Sequence, residues 1–363
     1  MKILFMGDAS AYHATLARQL VKNGHDVTIA SNGSRWMDTN RNIDISRRQG
    51  KIGGALLWLR LSTILSSRLK GYDVVQLVNP TFVELNPERI ETLFRRLKRD
   101  NGHVCLSALG TDSLFIQGCL DADSPLAYSE WSINGHETEF SRSPRGRHLA
   151  QWLDKPLKSF ADRIYSSVDG IITALYEYHV ILERSFGPEK LAYGGIAIET
   201  DSIPFLPPEH SGSVKILAPF HEGRQGEKGT DFLARCANRV PRVEIEPVTG
   251  LKYHDFVHRL ECSDVILDQL YSYTPATTAL MAMAMGKTVV TGGEPDFAKW
   301  IGETAIPVVN PDPRNPEKLV RDLQEAVRPE RLKETAYAAR RFVEKHNDSS
   351  VVARRFENFW EQL

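Results

Sequence analysis

Short, β-rich apolar runs alternate with stretches of helical period along most of this chain. Residues 2–6 (KILFM) read as a buried strand, 7–25 as a loop and helix, and 26–32 (DVTIASN) as a second strand. Residues 55–69 are a helical candidate. Residues 72–79 (YDVVQLVN) read as a strand, 86–102 as a helix with Pro87 in its first turn and Asn-Gly at its end, and 103–110 (HVCLSALG) as another strand. Periodicity is lost over 121–150. It returns as a helix over 151–167, a strand over 169–175 and a helix over 176–186. Residues 194–213, rich in Pro, Gly and polar side chains, mark a boundary. The alternation then restarts, with strands at 214–220, 243–250, 264–270 and 287–293 and helices between them. A last amphipathic helix carries Val352, Phe356, Phe359 and Leu363 at helical spacing.

This alternation predicts an α/β fold of two Rossmann-like, doubly wound domains facing across a cleft. Residues 1–195 form the first and 196–345 the second, and residues 346–363 are expected to pack back toward the first. The length of 363 residues suits two ordinary domains. The formal net charge of −1 argues against a dedicated nucleic-acid binder. Cys105, Cys119, Cys236 and Cys262 show no metal or redox spacing, as expected of a reduced cytoplasmic chain. The opening apolar run is too short for a signal peptide and is broken by Gly7-Asp8, and no window holds the ~18 uncharged apolar residues of a spanning helix.

In open α/β sheets ligands bind beyond the carboxyl ends of the strands, so useful residues should lie in the loops there. One such loop, PFHEGRQGEKGTD (219–231), offers Arg224 and Lys228 ahead of a helix beginning near Gly229. The guanidinium fork and the ammonium point charge both suit phosphate oxygens. A solvated turn whose Glu222, Arg224, Glu227 and Lys228 offset one another is the plainer alternative. The second loop, YSYTPATT (271–278), leads into an Ala/Met/Leu helix that must be buried. Pro275 sits where a helix can start, which leaves the amides of Ala276, Thr277 and Thr278 free to meet an anion. A polar cap on an ordinary core helix is the alternative there. In the first half, Gly7, with Asp8, Ser10 and His13, follows the first strand, and Gly110-Thr111-Asp112 follows a later one.

At this point the residues resemble a known family. KGTDFL (228–233), followed by MAMAMGKTVVTGGEP (281–295), looks like the donor domain of GT-B glycosyltransferases of the retaining family 4 type. DVVQLVN, LSALGTD and DGIITAL resemble strands of that family's acceptor domain. The resemblance implies a metal-independent, cofactor-free transfer of a sugar from a UDP- or GDP-sugar, as substrate, to a hydroxyl acceptor such as a growing glycan or a lipid-linked sugar, with retention. It implies that Arg224, Lys228, Gly229, Ala276, Thr277, Thr278 and Gly7 hold the donor diphosphate. Asp112 and His13 become candidates for acid–base work or acceptor contact, against a helix cap and a helix-surface histidine respectively. The family's Glu-x7-Glu motif departs here, because its two positions fall on Tyr273 and Met281. Asp268, Gln269 and Glu294 are the candidate replacements. The missing glutamates keep two other readings open: a catalytically silent binding subunit and a sugar-nucleotide epimerase.

Three further stretches carry weaker signals. His136, His148, Arg142, Arg145 and Arg147 in the aperiodic stretch suit a lid, an acceptor's grip or a mobile loop. Asp121-Ala-Asp123 mimics a metal motif of a different glycosyltransferase fold. Residues 55–69, with Trp58 and flanking Arg47, Arg48, Lys51, Arg60, Arg68 and Lys70, suit either a core-facing helix or a peripheral contact with an anionic membrane at its inner face.

Overall fold

The computed structural model describes the chain apart from residues 35–36, 210–211 and 221–224. The strands of the first half are β1 (Lys2–Met6), β2 (Asp26–Ser31), β3 (Ile43–Asp44), β4 (Val74–Leu77), β5 (His103–Ala108), β6 (Ser132–Ile133), β7 (His136–Glu137), β8 (Gly170–Thr173) and β9 (Leu191–Tyr193). Seven of these make one parallel sheet in the order β3-β2-β1-β4-β5-β8-β9. In the second half, β10 (Val214–Pro219), β11 (Val243–Val248), β12 (Val265–Leu267) and β13 (Thr288–Val290) form a second parallel sheet in the order β11-β10-β12-β13. The central strands β1, β4, β5 and β8 are buried over nearly their whole length. Helices cover both faces of such a sheet, so its strands read as continuous apolar runs.

Chain order reverses beside β1 in the first sheet and beside β10 in the second. At such a point successive connections leave on opposite faces, which opens a crevice at the carboxyl ends of the strands. Here the crevice edges carry Gly7 and Asn79 on one side, and Phe220 and Asp268 on the other.

The stretch 121–150, aperiodic in sequence, is a folded insert and not an irregular loop. It folds as the β6–β7 hairpin followed by the short helices Glu139–Arg142 and Pro144–Leu149. Asn134 and Gly135, at φ of 50° and 78°, make the tight hairpin turn that this residue pair favours. Leu126, Tyr128, Trp131 and Phe140 are buried with Phe115, Ile116 and Ile181, which anchors the insert. Asp121 and Asp123 pair with Arg184 at 3.2 and 2.7 Å, and this accounts for the metal-like spacing without a metal.

The helix Ser349–Trp360 lies against the helix Tyr12–Lys22. Its Trp360 indole N–H donates to Gln76 Oε1 at 3.1 Å, inside the first sheet's core. The helix Pro329–His346 lies instead on the helix Thr277–Ala284. One apolar core therefore runs from Ile3 and Phe5 through Phe356 and Trp360 to Leu280 and Met283, joining the two halves.

Candidate functional site

A cavity of about 660 Å³ lies between the carboxyl edges of the two sheets. Ser10, Asn79, Gly110, Thr111, Glu130 and Glu177 line it from the first half, and Lys228, Asp268, Gln269, Ala276, Thr277 and Thr278 from the second. Lys228 ends the short helix Gln225–Lys228. Its carbonyl accepts from Leu270 N at 2.9 Å, which ties the turn to the end of β12. Gly229 caps the next helix at φ 67°, and a Cβ there would sit 2.6 Å from Leu270 Cβ, so only glycine permits this approach. The Lys228 ammonium donates to Asp268 Oδ1 at 3.3 Å, and Asp268 is only 1 % exposed.

The helix Thr277–Ala284 opens onto the same cavity. Its N-cap residue, Ala276, has no side-chain cap hydrogen bond among the described residues, and Ala276, Thr277 and Thr278 line the cavity, so the first-turn amides are available to a ligand there. The mainly apolar helix is buried over Ala279, Leu280, Ala282, Met283 and Ala284, which fixes the direction of its axis.

Two smaller cavities adjoin. One, about 350 Å³, is walled by Phe220, Val248, Leu251 and Phe256 and shares Lys228, Asp268 and Thr278 with the main cavity. The other, about 540 Å³, lies over the crevice of the first sheet, lined by Gly7, Asp8, Asn32, Ser34, Thr81 and Glu84, and meets the main cavity at Ser10 and Asn79.

Carboxyls with unusual affinity for protons also face the main cavity. Glu177 is buried, and burial pushes its carboxyl up to about 7 against the opposing hydrogen bonds. Its Oε2 accepts from the Thr274 hydroxyl at 2.6 Å and its Oε1 from Tyr273 N at 3.3 Å. A first-half residue thereby holds the loop that leads into the Thr277–Ala284 helix. Glu130 is also pushed up to about 7, first by burial and then by the neighbouring charges of Glu227 and Glu177. Arg145 Nε donates to Glu227 Oε2 at 2.6 Å, which brings one arginine of the insert to the cavity wall.

The structure thus brings Lys228, Ala276, Thr277, Thr278, Asp268 and Gln269 to one cavity, with Gly229 setting the turn. Arg224 lies outside the described residues. The structure places the other candidates, His13, Asp112, Gly7, Tyr273 and Glu294, away from the walls of this cavity. His13 is fully buried, with Nδ1 donating to the Gly7 carbonyl at 2.8 Å and Nε2 accepting from the Ser107 hydroxyl at 3.1 Å. Burial lowers its pKa to about 4, so it is a neutral core histidine that does not line the cavity and is not on a helix surface. Asp112 caps the helix Ser113–Leu120 through Phe115 N and accepts from the Tyr165 hydroxyl at 2.6 Å, which occupies both of its oxygens. Gly7 borders the first-sheet cavity rather than the main one, and a Cβ there would strike Val78 and the Phe82 carbonyl, so close packing restricts the position to glycine. Tyr273 is buried with its ring 5.0 Å from that of Tyr128 and does not line the three cavities. Glu294 accepts from the Tyr128 hydroxyl at 2.6 Å and from Asn310 Nδ2 at 2.7 Å, again off the cavity walls. Its bond to Tyr128 links the insert to the second half.

Sequence reasoning missed Glu130, Glu177 and the apolar wall. Glu177 and Phe220 each follow a strand end, the same signal that singled out Asp112 and Lys228. Glu130 lies in the aperiodic insert, where nothing in the pattern marks it.

No family model and no curated protein matches the chain in sequence. Solved structures do match. Sucrose-phosphate synthase from Thermosynechococcus elongatus superposes with a TM-score of 0.66 at 12 % identity, over 100 % of this chain and 98 % of that one. Anabaena HepE, in complex with UDP and glucose, gives 0.58 at 11 % identity over 100 % of both chains. WaaG, a glycosyltransferase involved in lipopolysaccharide biosynthesis, gives 0.58 at 13 % identity over 99 % of both. With two Rossmann-like sheets facing across a cleft, these likenesses decide the architecture. The chain has the GT-B fold. In GT-B terms, the main cavity is the interdomain cleft and the apolar-walled cavity belongs to its second domain.

Proposed function

We propose that this GT-B chain is a glycosyltransferase that moves a sugar from a nucleotide diphosphate donor to a hydroxyl. The observation that carries the reading is the convergence of Lys228 and the uncapped end of the Thr277–Ala284 helix on one cleft cavity, beside a slot walled by Phe220, Val248, Leu251 and Phe256. The slot suits a nucleobase and ribose, and the shared Lys228 and Thr278 suit the diphosphate next to it. Negative charge grows on the leaving diphosphate in the transition state. A cation ~4 Å away is worth about 4 kcal/mol at an effective dielectric of ~20, and the helix end adds about 0.3–1 kcal/mol. Preorganised groups of this kind lower the barrier without reorganising. Asp268 keeps Lys228 in place before the donor arrives, and Arg224 is the expected second cation.

Glu130 is the candidate general base or sugar-hydroxyl ligand, since its near-neutral carboxyl faces the cavity. Glu177 is a positioning residue that acts through Tyr273 and Thr274 on the phosphate-binding helix. The neighbouring first-sheet cavity, where Ser10, Asn32, Ser34, Asn79 and Thr81 lie among apolar side chains with Asp8 and Glu84, is the candidate acceptor site. Retention of configuration follows the family resemblance.

Calorimetric titration with UDP, GDP and pyrophosphate tests the donor site, and lack of binding by all three favours the silent-subunit reading. The raised carboxyl of Glu130 on the cavity wall favours one second reading, a sugar-nucleotide epimerase. Incubation with sugar nucleotides and no acceptor separates the two, because only an epimerase yields an isomerised nucleotide sugar.

A further inference from the structure

We propose that the outer face of the helix Gly50–Ser62 is a docking surface for an anionic lipid membrane. This helix is apolar on both sides. Gly53, Gly54, Leu57 and Leu61 are buried toward the first sheet's core. On the opposite side Ile52, Leu56 and Leu59, at i, i+4 and i+7, form one ridge with exposures of 77, 47 and 56 %. Ile64, just past the helix, is 73 % exposed. The remaining large exposed hydrophobics among the described residues, Met1, Val21, Leu206, Trp300 and Tyr337, are scattered along the chain. Single exposed apolar side chains are ordinary, but a contiguous ridge marks an interaction surface.

The segment that carries the ridge has charge of one sign. Residues 45–72 contain six cations, Arg47, Arg48, Lys51, Arg60, Arg68 and Lys70, and no Asp or Glu. At about 100° per residue, Lys51 and Arg60 flank the ridge on either side. Arg47, Arg60 and Arg68 donate to the backbone carbonyls of Gly50, Asp44 and Asn42, neutral acceptors that fix the side chains and leave them cationic. A ridge that enters the acyl boundary, rimmed by cations that meet anionic headgroups, is the pattern of an interfacial helix. A second copy of this chain fits less well, because a two-fold contact would bring the cationic rims face to face. A nucleic acid would use the rim and leave the ridge in water.

The surface adjoins the first-sheet cavity, since Arg47 Nη1 donates to the Glu84 carbonyl at 3.3 Å, and Ile45, Glu84 and Leu85 line that cavity. Docking would hold the cavity beside the headgroups, where a lipid-borne acceptor could reach it. Lipid binding itself does not depend on the proposed chemistry.

The test is co-sedimentation of the full chain with phosphatidylcholine vesicles and with vesicles that also contain phosphatidylglycerol. Binding is expected only with the anionic lipid, weakening as salt rises. The triple variant Ile52→Ser, Leu56→Ser, Leu59→Ser and the double variant Arg48→Glu, Lys51→Glu should each reduce partition about tenfold or more. All five side chains are exposed, so the melting curve of each variant should overlay the parent's and separate lost binding from lost folding. Absence of binding to the anionic vesicles overturns the proposal. So does undiminished binding by the serine variant, which would reveal a general polyanion surface. A parent dimer that the serine substitutions split, with no vesicle binding, would assign the ridge to a second copy.

Discussion

The ammonium of Lys228 lies 3.3 Å from Oδ1 of Asp268, and both side chains line the cavity between the two sheets and the apolar slot beside it. A buried carboxylate thus holds the cation that the proposed diphosphate would meet. The pair makes the consequences of substitution depend on which partner is removed.

Lys228→Ala should lower transfer about a hundredfold or more, since one preorganised charge is lost from the leaving group. It should also cost about 1–3 kcal/mol of stability, because Asp268 is left buried without its partner. Adding Asp268→Asn should recover the stability and leave activity low. Urea denaturation and turnover at saturating donor read the two effects separately. Normal turnover by Lys228→Ala would remove Lys228 from the mechanism.

Gly229→Ala forces a Cβ to within 2.6 Å of Leu270 Cβ at a φ of 67°. The expected cost is about 1–2 kcal/mol, with a raised KM for the donor as the Lys228 turn shifts. An unchanged KM would mean that the turn does not set the donor site.

Phe256→Ala opens the apolar slot without touching the cation. It should weaken UDP or GDP binding about tenfold and leave pyrophosphate binding unchanged, as measured by calorimetry. Equal weakening of both ligands would place the nucleoside elsewhere.

Glu177 changes how stability depends on pH. Its carboxyl is raised in the folded chain from 4.5 to about 7, so the folded state holds a proton that the unfolded state has released. The resulting stabilisation is complete below pH 4.5 and is lost as pH rises toward and through about 7. Glu177→Gln mimics the protonated form and should flatten this slope, leaving the variant more resistant than the parent to urea at pH 8. Glu130 contributes a slope of the same sign, so the flattening is partial. Parallel curves for variant and parent would show that the Glu177 carboxyl takes up its proton in the fold no more readily than in the unfolded chain.

Reading loops after strands located Lys228, Asp268 and the Thr277–Ala284 helix end, because in a parallel sheet chain position and cleft position are tied together by topology. The same rule proposed Asp112 and His13, whose side chains do not line the main cavity. Asp112 caps its own helix and His13 turns into the core toward Ser107. Sequence position brings a residue to the crevice, but the side chain's direction depends on partners distant in the chain. Likewise Tyr273 stacks on Tyr128 and Glu177 bonds the loop at 273–274, contacts between the two halves that no local pattern announces.

The amino-acid pattern by itself determined the strand–helix alternation, the two-sheet α/β architecture and the buried apolar helix, because burial period is a local consequence of residue order. Only the tertiary structure decided that the stretch 121–150 is a folded insert, that Glu130 and Glu177 share the cleft with Lys228, and that Ile52, Leu56 and Leu59 remain in water. Those outcomes depend on which apolar surfaces find a partner across the chain and how far burial shifts a carboxyl's charge, and both are set by neighbours that folding alone brings together.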